Sequence, residues 1–358
     1  MRAVRILDWG CAPELVETDA PDTPSSGVVV RVAGCGLCHS DLTMMSMTAE
    51  IGEALGWSMP FTLGHETAGW IESVGTAVPR GSAASNWAIG DAVAVMSPMA
   101  CGTCGPCQAG WESACLTGGA GRGYGRDGGL ADFVAVESVG SLVGLGDMAP
   151  HLVGPLTDAG ATSHHAVIQV LSSLASLRSL GTDGLSGATV AVVGAGGLGA
   201  FAIQILRALS DVTIVVVERD DARRARAIEL GADQVLSDVG DLTRGSVEGV
   251  IDIVGTDATI GRGVRAVGAG GRMVVVGSEQ GTLARPWFSS MAHDAQFSVM
   301  QGSDRSDLLG VMALAVAGDV VVDAETFTLD EAIEGFRRLD ESSLSGRAVV
   351  LPQPMPTS

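Results

Sequence analysis

The sequence predicts an α/β protein in two parts, a small barrel-like β domain followed by an open, doubly wound parallel sheet. Three observations predict it. The hydrophobic pattern changes near residue 155, from short β-branched runs between glycines to strands alternating with helix-length segments. A glycine-rich turn, "VVGAGGLG", joins an apolar strand to a helix in the second part. The chain of 358 residues is long for one domain and comfortable for two.

In the first part, "GVVVRVAG", "ETAGWIESVG", "GDAVAVMS" and "LADFVAVE" read as strands, each with β-branched residues between turn signals. In the second, "ATVAVVGAGGLGAFAIQILRAL" reads as strand, glycine turn and helix, and "VTIVVVE" with "DDARRARAIELGA" as the next strand and helix. Strands at "GVIDIVG" and "GRMVVVGS" continue an alternation that calls for parallel pairing. Two helices are expected near the end, around "RSDLLGVMALAVAG" and "LDEAIEGFRRLD". No internal repeat or long low-complexity linker interrupts the pattern.

A formal charge of -20 argues against nucleic-acid or anionic-membrane partners, whose surfaces are themselves negative. The N-terminal "MRAVRILDWG" lacks the apolar core and small-residue cleavage site of a secretory signal, so a cytoplasmic location is expected. No apolar run approaches the roughly 20 residues of a spanning helix. Seven cysteines, an odd number, in a reducing compartment point to metal ligands before disulfides.

The strongest motif is "CGTCGPCQAGWESAC", with Cys101, Cys104, Cys107 and Cys115. Close spacing lets four thiolates converge on one ion and leaves no position for substrate, which reads as structural zinc rather than four unrelated thiols. "VVGAGGLG" places Gly194, Gly196 and Gly199 in G-x-G-x-x-G spacing. The first glycine permits the turn, the second lets the backbone approach a pyrophosphate, and the third allows close helix packing. About twenty residues on, Glu218 ends the next strand, where a carboxylate accepts the adenosine ribose hydroxyls and repels the 2'-phosphate of NADP. NAD is therefore favoured, although Arg219 follows immediately and offers a phosphate contact.

"GCGLCHSD" contains Cys-x-x-Cys-His, a haem-attachment pattern that also reads as a single metal thiolate, Cys38, beside a bystander Cys35. With "LGHETAG" and "PLTDAGAT" it offers a thiolate (Cys38), an imidazole (His65) and a carboxylate (Asp158), a mixture that suits zinc with one position open.

On these motifs and their order, the chain resembles the zinc-dependent alcohol dehydrogenases of the medium-chain dehydrogenase/reductase family over essentially its whole length. Within that family it is most like the bacterial secondary-alcohol enzymes. The resemblance implies a GroES-like β-barrel catalytic domain over 1–158 with a structural zinc lobe at 97–118, a Rossmann NAD-binding domain over 159–300, and a return of 301–358 to the catalytic domain. It implies two zinc ions per chain and NAD(H). Cys38, His65 and Asp158 would bind the catalytic zinc, with Glu66 close behind as an exchangeable ligand. Asp41 would orient His65, and Ser40 would accept the substrate proton. Cofactor contacts would come from His39, Thr162, Gly194, Gly196, Gly197, Leu198, Gly199, Glu218, Arg219, Arg223, Val254, Gly277 and Arg347.

The Cys-x-x-Cys-His pattern then resolves as the catalytic cysteine loop, with Cys35 and Cys11 as buried structural thiols. Many relatives carry a proton-relay histidine three residues after the Ser40 position, where this chain has Thr43. Trp57, Met99 and Met300 are candidate walls of the substrate pocket. The methionines Met44, Met45, Met47 and Met96 read either as further pocket edges or as core fillers. The implied reaction interconverts an alcohol, in the first place an apolar secondary one, and its carbonyl compound, in a homodimer or homotetramer. Two rivals are a zinc-free quinone or enoyl reductase of the same superfamily and a non-catalytic zinc and nucleotide sensor.

Overall fold

The computed structural model describes residues 1–79, 87–178, 185–284 and 286–353. The chain divides into two units. The first comprises Met1–Ala159, Gly302–Leu309 and Val322–Ser358, and the second comprises Gly160–Gln301 and Gly310–Val321. The helix Arg305–Ala317 thus begins in one unit and ends in the other.

The first unit is built on a seven-stranded sheet. Its order runs Leu142–Gly144, Ala92–Val95, Glu66–Val74, Val28–Leu37, Arg347–Leu351, Ala324–Thr328, and Phe133–Val136 also pairs with Val28–Leu37. Val28–Leu37 is central and buried along nearly all its length, which is why it reads as an unbroken apolar run rather than an alternating one. Arg31, its one partly exposed residue, stacks over the Trp70 ring at 4.7 Å. Two glycines in this strand make room for the site. A Cβ on Gly36 would fall 1.9 Å from Glu66 Oε2, and one on Gly34 would fall 2.1 Å from the His151 carbonyl oxygen. The two C-terminal strands complete the sheet from the far end of the sequence, Arg347–Leu351 lying antiparallel to Val28–Leu37.

The second unit holds a six-stranded parallel sheet in the order Gln234–Leu236, Thr213–Val217, Thr189–Val193, Val247–Asp252, Val267–Val275, Gln296–Val299. This is the doubly wound order, and the direction of winding reverses between Thr189–Val193 and Val247–Asp252. Such sheets bind ligands beyond the carboxyl ends of the strands at that reversal. The short strands Gln234–Leu236 and Gln296–Val299 escape sequence reading because neither has an apolar run of its own. Among the described residues, no helix is long and apolar enough to cross a membrane.

Candidate active site and zinc centres

Three turns at the ends of elements of the first unit supply the buried cluster. Cys38 caps the helix His39–Met45, His65 immediately precedes the strand Glu66–Val74, and Asp158 immediately precedes the helix Ala159–Arg178. One ligand atom from each of the three lies within 4.8 Å of the others. His65 Nε2 and Asp158 Oδ2 are 3.6 Å apart, too far for a good hydrogen bond. Two nitrogen or oxygen ligands on one tetrahedral zinc stand about 3.3–3.6 Å apart at ordinary bond lengths, so the spacing fits a shared ion.

Asp41 ties two of these residues together. Its Oδ2 accepts the Cys38 backbone N–H at 2.9 Å, and its Oδ1 lies 3.2 Å from His65 Nδ1. A carboxylate on the far nitrogen fixes ring orientation and leaves Nε2 free for a metal. Glu66 is fully buried, with Oε1 2.5 Å from Arg347 Nη2 and Oε2 without a hydrogen-bond partner. Arg347 Nη2 also donates to the Leu37 carbonyl at 2.9 Å, so the arginine is buried and turned toward Glu66.

The electrostatics favour a cation. Burial opposes charge on His65, yet the Asp41 and Asp158 carboxylates hold its pKa well above the usual imidazole value. Burial also opposes charge on Asp158, but His65, Arg347 and Ser97 hold it below the usual carboxylate range. Burial pushes Glu66 up to about 7 against the pull of Arg347. Surroundings that draw a proton onto a buried imidazole draw a metal cation for the same reason.

The second cluster differs in kind. Cys101, Cys104, Cys107 and Cys115 bring four sulfurs within 4.8 Å of one another on a largely exposed lobe. Cys104 and Cys107 sulfurs are 3.4 Å apart and Cys101 and Cys107 sulfurs 4.0 Å. These are far beyond a disulfide bond and bracket the roughly 3.8 Å separation of two thiolates on one zinc. Cys101 Sγ accepts the N–H groups of Thr103 and Cys104 at 3.5 and 3.3 Å. With the Thr103 hydroxyl, these bonds lower its pKa to about 5, toward the thiolate a metal needs. The lobe is anchored where Asp304 Oδ1 accepts the Ser113 N–H at 2.8 Å.

In the second unit the glycine turn follows the strand Thr189–Val193. Gly194 has φ +93°, and a Cβ on Gly199 would lie 2.0 Å from the Gly194 oxygen, so both positions require glycine. Gly196 faces open space and caps the helix Gly197–Leu209, an arrangement that leaves backbone N–H groups free for a pyrophosphate. Glu218 is already engaged: Oε2 accepts the Ala195 N–H at 2.9 Å and Oε1 the Asp220 N–H at 3.0 Å. The strand end is held by Arg224, which donates to the Glu218 and Arg219 carbonyls at 2.7 Å, while Arg219 is exposed. Gly277 packs on Val254, whose carbonyl carbon would be 2.2 Å from an added Cβ. Thr162 is buried with its hydroxyl unpartnered, and its neighbour Ser163 donates to the Leu198 carbonyl at 2.8 Å, tying that helix to the glycine turn.

Of the two readings of the methionines, packing favours core filling: Met44 belongs to the hydrophobic core of the first unit, Met45 and Met47 are partly buried against it, and Met96 is buried. Cys11 is exposed rather than buried, because it lies in a stretch without secondary structure. Cys35 is buried as expected, its thiol pushed up to about 12 by burial. Trp57 also belongs to the core, its Nε1 donating to the Gly119 carbonyl at 2.7 Å. It reaches the site through a residue the sequence reading missed. Tyr124, the one tyrosine of the chain, lies 6.3 Å from the Trp57 ring and 6.1 Å, edge-on, from His65. Its hydroxyl donates to the Ser97 carbonyl at 3.2 Å. Met99 is half-buried in the first unit, and Met300 half-buried in the second. Ser40 and His39 are exposed on the first turn of their helix, with Ser40 Oγ 3.1 Å from Cys38 Sγ.

Residues 24–146 match the family described as "Alcohol dehydrogenase GroES-like domain", and residues 197–317 match that described as "Zinc-binding dehydrogenase". The chain is 32% identical to an NAD-dependent alcohol dehydrogenase of Sulfurisphaera tokodaii, over 98% of this chain and 100% of that one. It is 33% identical to the NAD-dependent alcohol dehydrogenase of Saccharolobus solfataricus with the same coverage. The crystal structure of an alcohol dehydrogenase from Aeropyrum pernix matches with a TM-score of 0.85 at 31% identity, over 98% of this chain and 100% of that one.

Proposed function

We propose a reaction for a chain that belongs to the zinc-dependent alcohol dehydrogenases of the medium-chain dehydrogenase/reductase family: the NAD-dependent interconversion of an apolar secondary alcohol and its ketone. The observation that carries it is the convergence of Cys38, His65 and Asp158, one ligand atom each, with Asp41 bracing two of them. A zinc-free reductase has no use for such a set, nor for a second cluster of four cysteines.

Cys38, His65 and Asp158, with Glu66 behind them, would hold zinc, which when bound would supply a Lewis acid for a substrate oxygen. The glycine turn would hold NAD, which when bound would supply the hydride acceptor. The remaining work falls to the chain. Ser40 Oγ accepts the hydroxyl proton and, being exposed, passes it directly to water. Thr43 takes no part in a long relay, since its hydroxyl turns back to the His39 carbonyl at 3.5 Å. Glu218 favours NAD through its charge, which repels a 2'-phosphate, and its Oε2 also holds the glycine turn by accepting the Ala195 N–H. Trp57 and Tyr124 form an aromatic wall beside His65, which suits an apolar substrate bulkier than ethanol.

The homo-oligomer belongs to the same reading. The edge strand Gln296–Val299 leaves Val299 73% exposed, and an uncovered apolar edge invites pairing with a second copy. A cytoplasmic location belongs to the same reading, in which Cys11 is an exposed thiol and the other exposed cysteine, Cys101, is a metal ligand. The test is a panel of primary and secondary alcohols and ketones assayed with NAD and NADP, alongside metal analysis. Two zinc ions per chain and kcat/KM rising from ethanol to larger secondary alcohols support the reading. Activity that survives complete zinc removal overturns it.

A further inference from the structure

Outside the metal clusters and the glycine turn, the second unit carries an open hollow of about 480 Å³ lined by Ile168, Gln169, Ser172, Ser173, Ser176, Arg272 and Gln296, of which Ser172, Ser176 and Gln296 are exposed. That volume is in the range of small-molecule sites. Gln169, Ser172, Ser173 and Ser176 recur at helical spacing on one face of Ala159–Arg178, and Arg272 faces them from the strand Val267–Val275.

Arg272 lacks the carboxylate partner that several other arginines of this molecule have. Arg2 pairs with Asp132, Arg122 with Glu137, Arg337 with Glu334 and Arg347 with Glu66. Among the described residues, Arg272 bonds only neutral oxygens: Gln169 Oε1 at 2.5 Å, Ser298 Oγ at 3.2 Å and Gln296 Oε1 at 3.3 Å. Its Nε is buried without a partner. Burial lowers its pKa, and no acidic group offsets the effect. A partly desolvated cation with no counter-charge is costly, and in a chain of net charge -20 acidic residues are not scarce.

The surrounding groups are of matching type. Each glutamine gives its oxygen to Arg272, so each keeps two amide N–H donors for something else. A purely structural clamp, tying Gln169 of the helix to Gln296 and Ser298 of the edge strand, would leave Nε stranded and would not need a serine-lined hollow beside it. We propose that this cavity binds a phosphate-class oxyanion, inorganic phosphate or a phosphomonoester, with Arg272 as its counter-charge. Arginine suits that role because its planar donor fork matches phosphate oxygens.

The test is calorimetric titration of the full-length protein with inorganic phosphate and, separately, glycerol phosphate, at constant ionic strength against a chloride control. Each titration is run with and without saturating NADH. The expected result is saturable binding that NADH leaves in place and that weakens at least tenfold in Arg272→Gln. Tighter binding of the ester would identify a phosphorylated metabolite as the ligand, and equal binding would identify phosphate itself. Ser172→Asp, which supplies a carboxylate within the cavity, should also abolish binding while raising Tm. This variant serves if Arg272→Gln folds poorly. Absence of binding, unchanged binding in both variants, or displacement of phosphate by NADH would overturn the proposal. So would phosphate-independent dissociation of an oligomer in Arg272→Gln, which would give the cavity to a second copy of the chain.

Discussion

The four-cysteine lobe and the Cys38–His65–Asp158 cluster both gather metal-binding groups in the first unit, but they do so in opposite surroundings. The lobe is exposed, and its ligands come from one short stretch of chain whose own backbone N–H groups bond the sulfurs. The cluster is buried, and its ligands come from three distant turns braced by Asp41 and flanked by Glu66 and Arg347. In the lobe, the loop is held by short helical turns and the Asp304 anchor, with no apolar core of its own to fix the sulfurs. In the cluster, the sheet and its core already hold the ligands in place. Metal would therefore serve folding in the first case and chemistry in the second.

The sharpest way to break this comparison is to exchange one ligand in each region. Cys38→Ser should keep one zinc and a folded protein, and lose about 10³-fold or more in kcat/KM, since Lewis-acid stabilisation supplies several kcal/mol. Zinc content, circular dichroism and kinetics would check it, and full activity with two ions retained would reject the division. Cys104→Ser should do the reverse. Its main effect should be a loss of soluble yield and a lower Tm, because a structural ion contributes folding energy directly. A Cys104→Ser protein as stable as the parent would show that the lobe does not depend on its metal.

Smaller changes sharpen the contrast. Asp41→Asn keeps shape but weakens the brace on His65 and Cys38, and should cost about 10–100-fold in zinc affinity or turnover with little effect on the lobe. Metal titration monitored by activity would measure this. Tyr124→Phe removes only the hydroxyl that reaches the Ser97 carbonyl. A net hydrogen bond contributes about 0.5–1.5 kcal/mol, so kcat/KM should change by roughly tenfold or less, and more for bulky alcohols than for ethanol. An equal effect on every alcohol would place Tyr124 in the scaffold rather than at the substrate wall.

The two regions were not equally legible in the sequence. Cys101, Cys104, Cys107 and Cys115 announce themselves by spacing alone, because their convergence is a property of one loop. Cys38, His65 and Asp158 are far apart in the chain, and each by itself reads as an ordinary buried residue. Their residue types taken together suggested a zinc site, and resemblance to a family then gave each its role before the fold brought them together. Tyr124 and Ser97 carried no signal at all, since they reach the site only through sheet pairing and core packing. The methionines were ambiguous in the sequence, since flexible apolar residues near a ligand loop serve a pocket or a core equally well, and here Met44 lies in the core with Met45 and Met47 packed against it.

By itself, then, the sequence determined whatever depends on short-range spacing and periodicity. That includes the two-part α/β plan, the glycine turn whose φ +93° at Gly194 and tight packing at Gly199 admit no side chain, and the sulfur lobe. Only the tertiary structure decided what depends on distance through space. It set Gly36 against Glu66 so that a carboxylate could be buried there, turned Arg347 toward that carboxylate, and gave Glu218 the N–H groups of Ala195 and Asp220. It also left Arg272 without an acid beside a serine-lined hollow. The physical reason is common to all of these. A charged group's chemistry is set by its burial and its nearest partner, and both are supplied by segments that meet only when the chain has folded.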